Sequence, residues 1–372
     1  MTTLSSFRPS LPVVPVDPDQ VLELERGEDE EVLASFWQQA TPGTTYVRCL
    51  LPARALPGQC LRMRAEDIDW DSEKDILLMP RQRGAAVWQF LGDPWRSKVA
   101  WGQQEQLGLR VLMEIDDNYT VDIPQTPGRP RAWSRTIKES MAPGQSGYSY
   151  EMHKKICPTF DGLIVSTAYL GSVYENFNEN VYVCRNTVDP ADWVDLEEKD
   201  PSVLRVVYSG SPSHHHDAPF VTKAFKWLAR QDGIEVHTQG FNPRGWTVAN
   251  VDPWTPTLAR YRKRLGAFDI GVAPLKATRW ANGKSDLKVL EYAMAGVLPL
   301  AAREEPYREF LEVFPELGVE SHELAWLEAV KKVVKDRDFV KTKLAEVRQY
   351  VLEHRTIYNS IASWREAILG PS

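Results

Sequence analysis

The chain has 372 residues, 43% of them hydrophobic and 26% charged, a globular balance with length enough for two cores. Acidic residues outnumber Lys and Arg for a formal net charge of −7, which argues against a protein built to coat a polyphosphate. Four dispersed cysteines without a C-x-x-C pair signal neither zinc nor redox chemistry, Met1 is followed by no apolar export signal, and no apolar run reaches the roughly 18 residues of a membrane span; a cytoplasmic protein with free thiols and no stable membrane association is expected.

Residues 1–43 differ in texture from the rest. The proline-broken LPVVPVDPDQ and acidic ERGEDEE read as an extended arm, followed by one short helix near EEVLASFWQQA. From Tyr46 short apolar runs follow without strict alternation: YVRCLLPA and DILLMPRQ read as strands, VWQFLGDPW as the start of a helix or loop, then LRVLMEIDDN, DGLIVST and NVYVCRN as further strands. Such runs are how strands buried on both faces of a parallel sheet read. Residues 44–190 are therefore expected to form one Rossmann-like unit. The polar, proline-containing 191–202 reads as a linker. The pattern restarts over 203–345, with VLRVVYSG, GIEVHTQG, FDIGVAPL and VLPLAA as strands. DAPFVTKAFKWLAR is predicted helical, with Asp217 as N-cap, Pro219 in the first turn and Val221, Phe225 and Leu228 on its buried face. The tail from Glu323 is expected to be almost continuously helical. Neither unit carries G-x-G-x-x-G after its first strand or a G-x-x-x-x-G-K-[ST] loop, against a dinucleotide dehydrogenase and a P-loop nucleotidase.

Three segments carry candidate chemistry. NGKSDLKVLEYAMAG, residues 282–296, follows a strand and loop and so starts a helix at the carboxyl edge of a sheet, with Ser285 as a plausible N-cap. Free N–H groups and partial positive charge make such a start an anion site. If the helix extends back to Lys284, then Lys284, Lys288 and Glu291 share one face, suited to a diphosphate and a ribose; from the spacing alone an ordinary amphipathic helix with a Lys288–Glu291 pair is the commoner reading. In SGSPSHHHD, residues 209–217, Gly210 permits close backbone approach. Ser211 and the N–H groups after it suit phosphate or sugar, and three consecutive histidines do not converge on one metal. Asp116 and Asp117 end a strand where α/β sheets hold ligands, suited either to orienting an acceptor hydroxyl or to capping the next helix.

Together these segments resemble the GT-B glycosyltransferases, especially those similar to glycosyltransferase family 4, over roughly residues 44–372. The most specific likeness is DIGVAPLKATRWANGKSDLKVLEYAMAG, with the E-I-D-D, D-G-L-I-V-S-T and N-T-V-D segments in support. The resemblance implies two Rossmann-like α/β domains facing a cleft, with residues 346–372 crossing back onto the first domain. It implies transfer of a hexose or pentose from a UDP-, GDP- or ADP-sugar, with retention and without an obligatory metal or other cofactor. Glu291 would hold the ribose; Lys284, Ser285 and Lys288 would lie near the diphosphate; Gly210, Ser211 and His214 would contact phosphate or sugar; Asp116 or Asp117 would lie beside the reaction centre. The chain departs from the family pattern at Gly283, where many members carry Glu, and at SPSHHHD, where many carry an Arg and Lys pair. A glycan, a protein side chain and a modified DNA base remain open as acceptors. A nucleotide-sugar epimerase or hydrolase, or a degenerate sugar-nucleotide-binding protein, remains as an alternative.

Overall fold

The computed structural model describes residues 34–37, 44, 46–56, 60–63, 85–89, 110–121, 148–211, 214–243, 246, 250–253 and 257–370. Two six-stranded sheets organise them, and every strand pairing in both is parallel. The first sheet contains β1 (Ala34–Trp37), β2 (Cys60–Met63), β3 (Ala85–Gln89), β4 (Arg110–Ile115), β5 (Gly162–Val165) and β6 (Val181–Val183), in the order β2-β1-β3-β4-β5-β6. The second contains β7 (Leu204–Ser209), β8 (Ile234–Gly240), β9 (Asn250–Pro253), β10 (Ile270–Ala273), β11 (Leu298–Ala302) and β12 (Gly318–Val319), in the order β12-β11-β10-β7-β8-β9. Counted within that sheet, the order is 3-2-1-4-5-6 read from the β9 edge, the Rossmann arrangement. Its topological switch point lies between β7 and β10, where open α/β sheets bind ligands.

The strands in each sheet are apolar because both faces are covered. Val206, Val207 and Tyr208 of β7 and Ile270, Val272 and Ala273 of β10 are fully buried, as are Leu163, Ile164 and Val165 of β5. The expected buried face of the helix after β7 is present: Val221, Phe225 and Leu228 are all buried. Its first turn, Ala218–Val221, is 3-10, and Thr222–Leu228 is α-helical. Pro219 sits in that first turn, but the Asp217 side chain makes no cap bond. It turns instead to accept from Lys276 N at 2.8 Å, which ties the loop after β10 to the loop after β7.

Several sequence expectations are corrected. Residues 34–37 are not part of a short helix but form β1, paired on both sides within the sheet. Phe36 there is buried against Trp364, so a contact some 330 residues away in the chain, rather than the local pattern, sets its conformation. YVRCLLPA is not a strand: Tyr46–Leu50 is a π-helical turn continuing into the α-helix Leu51–Ala55. A short apolar run does not distinguish a buried strand from a buried helix, and Pro52 suits the first turn of the latter. VWQF overlaps β3, a strand rather than the start of a helix. DILLMPRQ and most of residues 1–43 lie outside the described residues.

The helices after the second sheet return to the first. Helix Arg337–His354 follows the second sheet, breaks at Arg355, and gives way to Ile357–Leu369, opened by a Thr356/Asn359 capping box. Trp364 of this last helix packs edge-on to Phe36 at 5.9 Å between centroids, with the Arg48 guanidinium 5.1 Å from its ring. Arg48 is itself buried, paired at 2.6 Å with the fully buried Glu114 of β4. The expected crossing of the C-terminal helix onto the first sheet is thus present.

Candidate functional site

The carboxyl ends of β7 and β10 bring together most of the residues singled out in the second half of the sequence. Ser209 ends β7 and Gly210 follows it, held by a 3.0 Å bond from its N–H to Gln239 O at the end of the neighbouring β8. A Cβ placed on Gly210 would stand 3.5 Å from Lys288 Nζ and 3.5 Å from His214 Cδ2, so the ammonium and the imidazole both overhang this backbone. His214 Nδ1 contacts Asp217 Oδ2 at 2.8 Å. Burial and the neighbouring charge of Lys288 push His214 down to about 4, so the ring is neutral at neutral pH. Its Nδ1–H then donates to Asp217 and Nε2 is left as an acceptor.

Lys288 lies on helix Leu287–Met294, its Nζ 5.6 Å from the centre of the Tyr208 ring. Burial lowers it to about 8, with the Asp217 carboxylate pulling the other way. No ion pair of Lys288 occurs among the described residues. One turn on, Glu291 Oε2 accepts from Tyr261 OH at 3.0 Å, and that phenol oxygen accepts from Ser209 Oγ at 3.4 Å. Burial raises Glu291 against the opposing charge of Arg262. Tyr292, the next residue, fixes the strand end: its hydroxyl accepts from Ser209 N at 3.1 Å and donates to Val272 O at 3.3 Å. Its ring lies so close over β10 that a Cβ on Gly271 would fall 2.7 Å from it. Neither Tyr261 nor Tyr292 was singled out from sequence, although Tyr292 stands in the E-Y pair itself.

The predicted helix start needs correction. The helix opens at Leu287 with Asp286 as N-cap position, and it does not extend back to Lys284. Asp286, not Ser285, holds the N-cap position; Ser285 Oγ accepts from Asn186 Nδ2 at 2.7 Å, a bond from the segment after β6, and from Leu287 N at 3.5 Å. Asp286 is taken by Arg355, with Nη2–Oδ1 at 2.8 Å. Lys284 therefore projects from the turn between the short helix Arg279–Asn282 and this one, and does not share a helix face with Lys288 and Glu291. Its Nζ lies 3.5 Å from Asp117 Oδ2 and 5.1 Å from the centre of the Trp280 ring.

That contact joins the two sheets' sites. Asp116 and Asp117 follow β4, with Asp116 Oδ1 accepting from Tyr119 OH at 2.7 Å and Asp116 O accepting from Ser166 Oγ at 3.0 Å. Burial raises Asp117, as does the charge of Asp116, against the pull of Lys284. Asn118, which sequence reasoning passed over, donates from Nδ2 to Arg279 O at 3.1 Å. Gly283 packs against it so closely that a Cβ would meet Asn118 Cβ at 2.6 Å. No side chain fits at position 283 in this arrangement, a physical reason for its departure from the glutamate many family members carry.

No group of His, Cys, Asp and Glu suited to a metal occurs among the described residues. No helix among them is long and apolar enough to cross a membrane.

Two all-parallel sheets, the second in Rossmann order, with Lys284 of the second unit meeting Asp117 of the first, make up a GT-B architecture. No protein-family model matches the sequence, and no curated protein does. Among solved structures, a glycosyltransferase from Rickettsia africae aligns at a TM-score of 0.58 and 10% identity, over 92% of this chain and 100% of its own. Sucrose-phosphate synthase from Thermosynechococcus elongatus aligns at 0.56 and 11% identity, over 90% and 97%. An α,α-trehalose-phosphate synthase (UDP-forming) from Burkholderia xenovorans, in complex with glucose-6-phosphate, aligns at 0.53 and 11% identity, over 79% and 75%. The fold of this chain is the GT-B fold of these glycosyltransferases.

Proposed function

We propose that the protein is a glycosyltransferase that moves a sugar from a nucleoside-diphosphate donor to an acceptor hydroxyl. The observation that carries this reading is Lys288: a half-buried side chain whose desolvated ammonium, outside any ion pair among the described residues, stands over the bare backbone of Gly210 at the β7–β10 switch point. A buried cation is unfavourable unless an anion compensates it, and a diphosphate beside Gly210 and Ser211 supplies that compensation. Glu291, already accepting from Tyr261, takes the ribose hydroxyls. The neutral His214 offers Nε2 to a donor-sugar hydroxyl. In this reading residues 44–190 form the acceptor domain and 203–345 the donor domain, joined by 191–202. A cytoplasmic location, retention at the anomeric carbon and independence of metal belong to the same reading.

In the reaction, the acceptor oxygen bonds to the anomeric carbon as the bond from that carbon to the phosphate oxygen breaks. The electron pair leaves with the diphosphate, which also takes up the hydroxyl proton. Lys288 and the backbone N–H groups lower the barrier by meeting the charge that develops on the leaving group. Asp116 and Asp117 orient the acceptor hydroxyl.

The test is a thermal-shift screen of UDP, GDP and ADP and their glucose conjugates, since a ligand that binds only the folded state raises its stability by mass action. One nucleotide is expected to stabilise the protein, and Lys288→Ala and Glu291→Ala each to abolish that shift while remaining folded. Normal binding by both variants sinks the donor site. Donor consumption at full rate without any acceptor makes the enzyme a hydrolase instead.

A further inference from the structure

A groove lies beside the turn that carries Lys284. It is a shallow, open groove between residues after β5 and β6 on one side and residues around the 282–286 turn and after β11 on the other. Lys284 belongs both to this groove and to the contact with Asp117, and Ser166 at its other wall bonds the Asp116 carbonyl, so the groove abuts the carboxylate pair.

The charges around it cancel one by one. Arg185 pairs with Glu309 across the groove through both nitrogens, Nη2–Oε1 at 2.8 Å. Arg308 pairs with Glu305 at 3.2 Å. Arg355 is taken by Asp286, and Lys284 by Asp117. Four cations thus meet four carboxylates. The Arg185, Arg308 and Glu309 side chains remain more than a third exposed, so they stay within reach of a solute.

We propose that this groove is the acceptor subsite and that its occupant is an uncharged carbohydrate; the inference rests on the glycosyltransferase reading above. A polyol presents many hydroxyls that both donate and accept. Compensated guanidinium–carboxylate pairs offer both functions without net charge, and the Ser166 and Thr167 hydroxyls border the same space. A phosphorylated sugar fits poorly here, because its two negative charges meet Glu305 and Glu309 and gain an arginine only by breaking an existing pair. A polyanion such as duplex DNA meets the same opposition.

The full chain is assayed with UDP-, GDP- and ADP-glucose against neutral mono- and disaccharides, the 6-phosphates of the same hexoses, and a duplex carrying hydroxymethylated bases. The expected result is transfer to a neutral saccharide with kcat/KM at least about tenfold above its 6-phosphate. The Glu305→Gln/Glu309→Gln double variant removes the repulsion from partly exposed positions; it is expected to lower kcat/KM for the neutral acceptor and narrow the preference by about tenfold, with the nucleotide-induced thermal shift unchanged. Preferential transfer to a 6-phosphate or to the duplex overturns the proposal. So does nucleotide binding with no transfer to any neutral saccharide, or a double variant with unaltered preference. Absence of any nucleotide-induced shift instead defeats the donor-site reading on which the proposal rests.

Discussion

Lys284 Nζ stands 3.5 Å from Asp117 Oδ2, so a cation carried by the second sheet's loops is partly neutralised by a carboxylate carried by the first. Both side chains are partly exposed, about a fifth each, and the pair is therefore worth little on its own to stability. Its importance lies in competition: a diphosphate reaching Lys284 must share it with Asp117.

That competition gives the first prediction. Asp117→Asn releases Lys284, and the dissociation constant for the nucleoside diphosphate is expected to fall about three- to tenfold, while transfer to the acceptor slows. Titration calorimetry on the variant checks it. An unchanged or weaker constant places Lys284 away from the phosphates.

Gly210 allows a second, largely steric test. An alanine Cβ there meets Lys288 Nζ and His214 Cδ2 only at 3.5 Å, ordinary contact distance. Gly210→Ala is therefore expected to unfold within about 2 °C of the parent, since the substitution introduces no clash and trims unfolded-state entropy. The methyl fills the space beside Lys288 in which a phosphate oxygen would sit, and nucleotide affinity is expected to fall at least about tenfold. Unaltered affinity moves the diphosphate elsewhere.

Lys288 makes a pH-dependent prediction whose sign differs between binding and stability. In the free protein it titrates at about 8, below its ordinary 10.5. An anion bound beside it favours the charged form, so nucleotide affinity is expected to hold up to about pH 8. Above that it weakens by about tenfold per pH unit, as the free protein loses the proton that binding must restore. For folding, the unfolded chain holds more protons between about 8 and 10.5, so this residue alone makes the folded state gain stability as pH rises through that window. Calorimetric titrations from pH 7 to 10 on the parent and on Lys288→Met distinguish the two; the steep segment is expected only in the parent.

The Arg48–Glu114 pair is a structural counterpart, buried on both sides and remote from the switch point of the second sheet. Burial pushes Glu114 up to about 7 against the pull of Arg48. Arg48→Met leaves a buried carboxylate without its partner and is expected to lower unfolding free energy by about 3–5 kcal/mol in urea denaturation. Nucleotide affinity at a temperature where the variant is folded is expected to be unchanged.

The second sheet was legible because its signals are local. Asp269 to Gly296 carries a strand, a turn and a helix in one continuous stretch, and β7, β8, β10 and β11 all occur where apolar runs predict them. The N-cap falls one residue beyond the Ser285 that looks like one, at Asp286, and the Ser285 hydroxyl is shared with Asn186 from the segment after β6, some 99 positions away. The first sheet was less legible for the same reason. Phe36 and the Tyr46–Leu50 turn take their conformations from Trp364 and Glu114, partners no window of neighbouring residues contains. The same limit hid Tyr261 and Asn118 from the candidate site: each matters through what folding places opposite it.

The docking of Trp364 on Phe36 and Arg48 also bears on how the chain is made. A ribosome releases the first sheet's residues long before the helix that covers them. Until residue 364 emerges, Phe36 has no ring to rest against and the buried Arg48 lacks one wall of its enclosure. The amino-terminal half must therefore wait, incompletely closed, for the last thirteen-residue helix, and such long-range closure is slow.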